Sequence, residues 1–150
     1  MTPKRGRLEI VDISRKGLSL RSCVAKGTIE LKPRTLAAVK TGRIPKGDVL
    51  TVAKVAAIMA VRRTSELIPA CHNIPIENID ISYTVGARRI EVICKVLAQS
   101  KTGVEMEALT GTCVGLLTIW DMVKELEKDE KGQYPSTSLG GIRVVKKVKE

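Results

Sequence analysis

The chain has 150 residues, enough for one domain with its own core, and 43% of them are hydrophobic, which excludes a disordered or collagen-like polymer. Its formal charge of +10 comes from 26 basic and 16 acidic side chains and favours a polyanionic or phosphorylated partner. With no Phe, one Trp and two Tyr it lacks the stacking surfaces of a single-strand nucleic-acid binder. Four cysteines without a Cys-x-x-Cys pair, and a single His, give no zinc pattern, so no metal site is expected. The basic start has no apolar run behind it, so it does not read as a secretory signal. The longest unbroken apolar stretch, Val55 to Val61, is too short to cross a bilayer. A cytoplasmic protein with no membrane partner is expected. The whole chain, 1–150, reads as one catalytic domain, with 1–7 and 148–150 as flexible ends.

Residues 8–14 alternate loosely and predict a strand. A second strand is expected over 18–31, around Leu18, Leu20, Val24, Ile29 and Leu31, with Lys26-Gly27 turn-like within it. Pro33 opens a short helix to Lys40, stopped by Thr41-Gly42. Asp48 is placed to cap a long segment running to about Ile68 and closed by Pro69. That segment is apolar almost all round from Val49 to Val61, which predicts a buried helix.

Ile79, Ile81, Tyr83 and Val85 alternate with polar residues, Gly86-Ala87 turns the chain, and Ile90, Val92, Cys94, Val96 and Ala98 alternate again. This predicts a hairpin with one buried face. Gly103 then opens a second long helix with an apolar stripe of Leu109, Cys113, Leu116, Trp120, Val123 and Leu126, ended by the charged run to Lys131 and by Gly132. Residues 133–141 read as a loop and 142–145 as a last short strand. The order predicts an α+β fold, a mainly antiparallel sheet with helices packed on one face, ferredoxin-like in arrangement.

Several segments are candidates for chemistry. Gly42 to Gly47 has the spacing of a phosphate-binding loop, but Asp48 stands where that motif needs lysine and no strand leads in, so it is rejected as one. Lys46 remains, in a glycine-flanked loop before a helix, as either a phosphate ligand or a solvated turn lysine. Cys71 and His72 follow a core element in a loop, as structural residues or as proton-transfer groups. Glu105 and Glu107 complement the dipole of a helix start, which alone would explain them. Asp121 and Lys124 share a helix face, as a surface ion pair or as part of a site; Trp120 beside Asp121 suggests partial burial.

Four runs, Lys46-Gly47-Asp48-Val49, Leu67-Ile68-Pro69-Ala70-Cys71-His72, Lys101-Thr102-Gly103-Val104-Glu105-Met106-Glu107-Ala108-Leu109-Thr110 and Asp121-Met122-Val123-Lys124, closely resemble the molybdenum cofactor biosynthesis protein C family, the cyclic pyranopterin monophosphate synthases. Ile10-Val11-Asp12-Ile13-Ser14 resembles that family's opening strand, and the likeness covers about residues 9–147. The resemblance implies a reaction on a cyclised dihydro-GTP, supplied by a radical S-adenosylmethionine GTP cyclase. The product is cyclic pyranopterin monophosphate, with diphosphate released. It implies Asp121, Lys124 and Lys46 at the catalytic centre. It implies substrate contacts from Ala70, Cys71, His72, Glu105, Met106 and Glu107, with Arg21 matching a phosphate-binding arginine and Lys147 matching the first lysine of the family's C-terminal Lys-Ser-Gly-Gly-Lys-Ser-Gly run. It implies a homohexamer, a trimer of dimers with sites between subunits. No cofactor is expected beyond Mg²⁺ carried on the triphosphate.

The sequence departs from the family in two places: Asn73 replaces a common Pro after Cys-His, and Val148-Lys149-Glu150 stands where a glycine-rich tail usually follows. Two other readings stay open, a basic nucleic-acid module and an inactive scaffold that keeps the fold. Independently of any family, Glu107 and Asp121 lie 14 positions apart on one expected helix, roughly 21 Å at ~1.5 Å per residue. For both to act on one ligand, either the ligand is long or the site is built from two chains, and the second option agrees with the hexamer that the resemblance implies.

Overall fold

A computed structural model describes residues 5–150. The elements run β1 (Ser19–Glu30), α1 (Pro33–Lys40), α2 (Val49–Arg62), α3 (Thr64–Leu67), β2 (Asn78–Val85), β3 (Arg89–Ser100), α4 (Glu105–Glu127) and β4 (Ser138–Lys149). The four strands form one sheet in the order β2-β3-β1-β4, every neighbour antiparallel. This is the ferredoxin-like arrangement expected. The helical crossover between β1 and β2 leaves room for β3 to insert between them.

The buried face of the sheet follows from alternation. Cys23, Ala25 and Ile29 of β1 lie opposite Val96, Cys94 and Ile90 of β3, and all six are buried. α4 lies across this face and α2 packs on α4. The helix approaches closely because its inward residues are small. A Cβ built on Gly111 would lie 2.6 Å from Val61 Cγ2 and 2.9 Å from Cys94 Sγ. One built on Gly27 would lie 2.8 Å from Ile142 Cγ1 and 2.9 Å from Leu116 Cδ1. Gly27 is therefore a close-approach residue inside β1, not a turn.

The buried line of α4 is Glu107, Ala108, Gly111, Thr112, Gly115, Leu116, Ile119, Met122, Val123 and Glu127. It is rotated from the stripe of large residues read in the sequence: Leu109, Cys113, Trp120 and Leu126 are only half-buried. By length and hydropathy α4 would pass for a bilayer span, although no unbroken apolar run suggested one. Half of its most apolar window is buried inside this protein, which marks it as the core helix.

Four boundaries differ from expectation. Residues 8–14 form no strand; the Asp12 carboxylate accepts the Ser14 N–H at 2.8 Å and Lys16 N–H bonds the Ile13 carbonyl, so the segment is a shaped loop. β4 begins at Ser138 and runs through the stretch read as loop and short strand. Of the ends read as flexible, Val148 and Lys149 pair with Ser22 and Arg21, and Glu150 exchanges two backbone hydrogen bonds with Leu20. At the other end, residues 1–4 lie outside the described residues and Arg5-Gly6 make a turn. The helix expected to run to Ile68 breaks at Arg63 into α2 and α3, and Asp48 holds the N-cap position of α2 with its carboxylate accepting the Thr51 hydroxyl at 3.0 Å. α2 is not buried all round: Val52, Val55 and Met59 are exposed on its outer side.

Candidate active site

The candidate residues fall into two groups at opposite ends of α4. At the far end, Lys46, Asp121 and Lys124 meet. Lys46 sits on the loop from α1 to α2, which turns at Gly42 (φ +68°) and again at Gly47 (φ +125°), so the glycines present the lysine rather than cradle a phosphate themselves. Lys46 Nζ reaches the Asp121 carbonyl at 2.8 Å and Oδ2 at 3.3 Å, while Lys124 Nζ lies 3.0 Å from Oδ1. Asp121 is exposed, not partly buried, because it sits one step off the buried line. The Lys124 and then the Lys46 hydrogen bonds hold its carboxyl below the ordinary range, and Asp121 in turn raises Lys124 above the usual lysine value. Two ammonium groups on one carboxylate leave net positive charge facing solvent, which suits a phosphate.

At the near end, Ala70, Cys71, His72, Glu105, Met106 and Glu107 line one cavity of about 300 Å³. His72 Nε2 lies 2.5 Å from the Val11 carbonyl. A carbonyl only accepts, so Nε2 carries the proton and Nδ1 is left for another partner. Arg21 and Lys147 arrive from beneath. Arg21 shares the inner face of β1 with Cys23, and Lys147 of β4 stands opposite Cys23. Lys147 Nζ bonds Glu105 Oε1 at 2.8 Å. Arg21 Nε is buried without a hydrogen-bond partner, a donor that a bound anion would satisfy.

The two acids differ in state. Burial works against the Glu105 carboxylate, but Lys147, its own backbone N–H and Arg21 outweigh it and hold the carboxyl below its usual value. Glu107 is buried at 4% exposure, and desolvation, with Glu105 adding repulsion, pushes its carboxyl up. A neighbouring pair with pKa values driven apart supplies one fixed anion and one proton carrier. Burial also raises Cys71, which therefore stays a thiol rather than a nucleophilic thiolate. Gly103 permits this arrangement, because a Cβ there would collide with the Glu105 carboxylate.

A direct test is Lys147→Met. Glu105 loses its strongest counterweight to burial, so its carboxyl pKa rises, read by carbon-13 NMR titration. The sign for stability follows: a depressed carboxyl stabilises above its unfolded pKa and loses that contribution as pH falls through the folded value. The variant therefore loses part of that acid-side dependence.

The cavity wall also contains Val11 and Ile13, which the sequence placed in a strand, and Lys16, just beyond it, which the sequence did not single out. The Asp12-x-Ser14 pair followed by Gly17 is a turn signature that marks the segment as a loop. A larger hollow of about 550 Å³ near Lys32 and Arg34 holds none of the candidate residues, and Asp129 and Glu130 partly counter its cations. Among the described residues no cluster of His, Cys, Asp and Glu suits a metal ion.

The fold and the paired acid–lysine groups define a ferredoxin-like protein with a cluster of charged side chains at each end of its long core helix. The family model described as "MoaC family" matches residues 10–149. The chain is 56% identical over 142 residues to the "Probable cyclic pyranopterin monophosphate synthase" of Pyrococcus horikoshii, covering 95% of this chain and 89% of that protein. It is 53% identical over 143 residues to the protein of the same name from Pyrococcus furiosus (95% and 92% covered). For that of Thermococcus kodakarensis the identity is 54% over 142 residues (95% and 91%). This chain belongs to the MoaC family.

Proposed function

We infer that this chain is a cyclic pyranopterin monophosphate synthase. It converts (8S)-3′,8-cyclo-7,8-dihydroguanosine 5′-triphosphate to cyclic pyranopterin monophosphate and releases diphosphate, a lyase-class step early in molybdenum cofactor biosynthesis. The observation that carries this reading is the Lys46–Asp121–Lys124 contact, assembled from two distant segments within a family match of nearly the whole chain.

In this reading Lys46 and Lys124 stabilise charge that develops as diphosphate leaves. Asp121, fixed between them, keeps both ammonium groups oriented and takes or returns protons during ring opening and reclosure. At the other end of α4, Arg21 and Lys147 bind phosphate oxygens, His72 and Glu107 move protons, and Ala70, Cys71, Glu105 and Met106 shape the pocket. No resident cofactor takes part; Mg²⁺ riding on the substrate triphosphate is compatible with the cationic site. The substrate comes from a radical S-adenosylmethionine GTP cyclase, and the enzyme works in the cytoplasm.

The two ends of α4 cannot serve one bound substrate from a single copy. The enzyme therefore acts as a homo-oligomer in which one protomer's α4 start meets its partner's α4 end, and the family resemblance makes that oligomer a hexamer, a trimer of dimers. The test supplies the wild-type protein with the cyclised dihydro-GTP and follows cyclic pyranopterin monophosphate and diphosphate together. Both should form in equal amounts; diphosphate alone, or neither product, overturns the assignment.

A further inference from the structure

The most deeply buried charged side chain among the described residues, Glu127, has no part in the chemistry above. It is 0% exposed and ends α4, three positions beyond Lys124 and six beyond Asp121. Burying a carboxylate is unfavourable unless its lone pairs are filled, and here they are filled by neutral donors from two other segments. Lys32 N–H lies 3.3 Å from Oε1 and 3.2 Å from Oε2, the Thr35 hydroxyl donates to Oε2, and the Thr137 hydroxyl donates to Oε1 at 2.8 Å. Lys32 is the N-cap position of α1 and Thr35 lies in its first turn. The acid from one helix thus closes the start of another.

We propose that Glu127 is a positioning residue that holds Lys46 in register with Asp121 and Lys124. The proposal rests on the synthase reading. The contacts close a ring. α1 begins at Glu127, where Arg34 Nη2 adds a hydrogen bond to the Leu126 carbonyl at 2.9 Å. α1 ends at the loop carrying Lys46, and Lys46 returns to α4 at Asp121. Thr137 ties in the segment before β4, whose Tyr134 ring stands edge-on to Trp120, 5.1 Å between centroids, beside Asp121. Without Glu127, α1 keeps few ties to the end of α4, and the loop bearing Lys46 is free to drift.

The test compares Glu127→Ala with Glu127→Gln in the intact oligomer. Glutamine can accept from Lys32 and Thr35 through its oxygen and donate to the Thr137 hydroxyl through its amide, so it should stay within about threefold of wild type in kcat. Alanine should lower kcat on the order of 10- to 100-fold, as misplacement by about an ångström does, with KM changed far less. In a Lys46→Ala background the same Glu127→Ala change should cost less than about threefold, because the group it positions is gone. An equal loss in both backgrounds, or full activity of folded Glu127→Ala, overturns the proposal. If Glu127→Ala does not fold, by thermal unfolding and the emission of Trp120, Thr35→Val enters the same cycle.

A readout without turnover keeps this inference separate from the synthase reading. NMR titration of Asp121 should show its carboxyl pKa rising in Glu127→Ala, where the Lys46 contact is lost, and unchanged in Glu127→Gln. If the wild type forms no product, the synthase reading falls and this titration alone decides the positioning claim. An Asp121 pKa unmoved in folded Glu127→Ala contradicts it.

Discussion

Asp121→Ala and Lys124→Ala each lower kcat by roughly 100- to 1,000-fold or more, the scale of losing a group that stabilises transition-state charge or carries its proton. Removing Asp121 leaves Lys46 and Lys124 facing each other without the carboxylate that now holds both, at 3.3 and 3.0 Å. Removing Lys124 takes away one of the two cations assigned to the leaving diphosphate. Neither change should unfold the protein, since the contact is exposed and such pairs contribute little to stability. The helix carries its own control: Glu125 and Lys128 form an ion pair of the same spacing at 2.9 Å. Glu125→Ala should leave kcat unchanged. Full activity in either Asp121→Ala or Lys124→Ala contradicts the assignment of that residue.

The pH dependence has a defined sign. Asp121 is held below and Lys124 above their ordinary values. Both therefore stay charged from well below to well above neutrality, and this contact contributes no limb to a rate profile between about pH 5 and 9. The raised carboxyl of Glu107, which gains a proton earlier on acidification, is the group expected to shape the acid side. Glu107→Gln should flatten it.

Gly111→Val has the largest expected effect on stability. Its first carbon alone would meet Val61 Cγ2 at 2.6 Å and Cys94 Sγ at 2.9 Å, one on α2 and the other on β3. The better helix propensity of a non-glycine residue offsets less than about 1 kcal/mol, against an overpacking cost of about 3 kcal/mol. The net cost of about 2–3 kcal/mol should lower Tm by roughly 4–12 °C at fixed protein concentration. An unchanged Tm would mean that α2 moves aside freely, contrary to the close packing described for α4.

These contacts also show how far the sequence could be read. The hairpin was legible because Ile81, Val92 and Cys94 alternate at strand spacing and bury one face, and α1 because Pro33 and Gly42 bracket it. The orientation of α4 was not, because periodicity weighs large residues. The helix turns Gly111 and Gly115 inward for close approach, leaving Leu109 and Trp120 half-buried. β4 was read short because Gly140 and Gly141 resemble a turn, while pairing to β1, a long-range property, carries the strand through them.

Of the site, the motif residues could be named from sequence, and their division between the ends of α4 followed from helical rise. The meeting of Lys46 with Asp121, 75 positions apart, could not be read from local pattern. Val11 and Ile13 were read as strand because loose alternation outweighed the Asp12–Ser14 turn. Glu127 was hidden in a charged run, where burial is the least expected outcome.

In the proposed mechanism one reaction uses the start of α4 from one copy and its end from another. Mixing two inactive variants tests it most directly: Asp121→Ala, defective at the end of α4, and His72→Ala, defective at its start, are co-assembled in equal amounts and assayed with the cyclised dihydro-GTP. In a mixed two-fold dimer one shared site receives both defects and the other receives neither, so a random mixture should regain about a quarter of wild-type activity. A mixture that stays as inactive as its parents, although mass spectrometry shows mixed oligomers, would contradict the account.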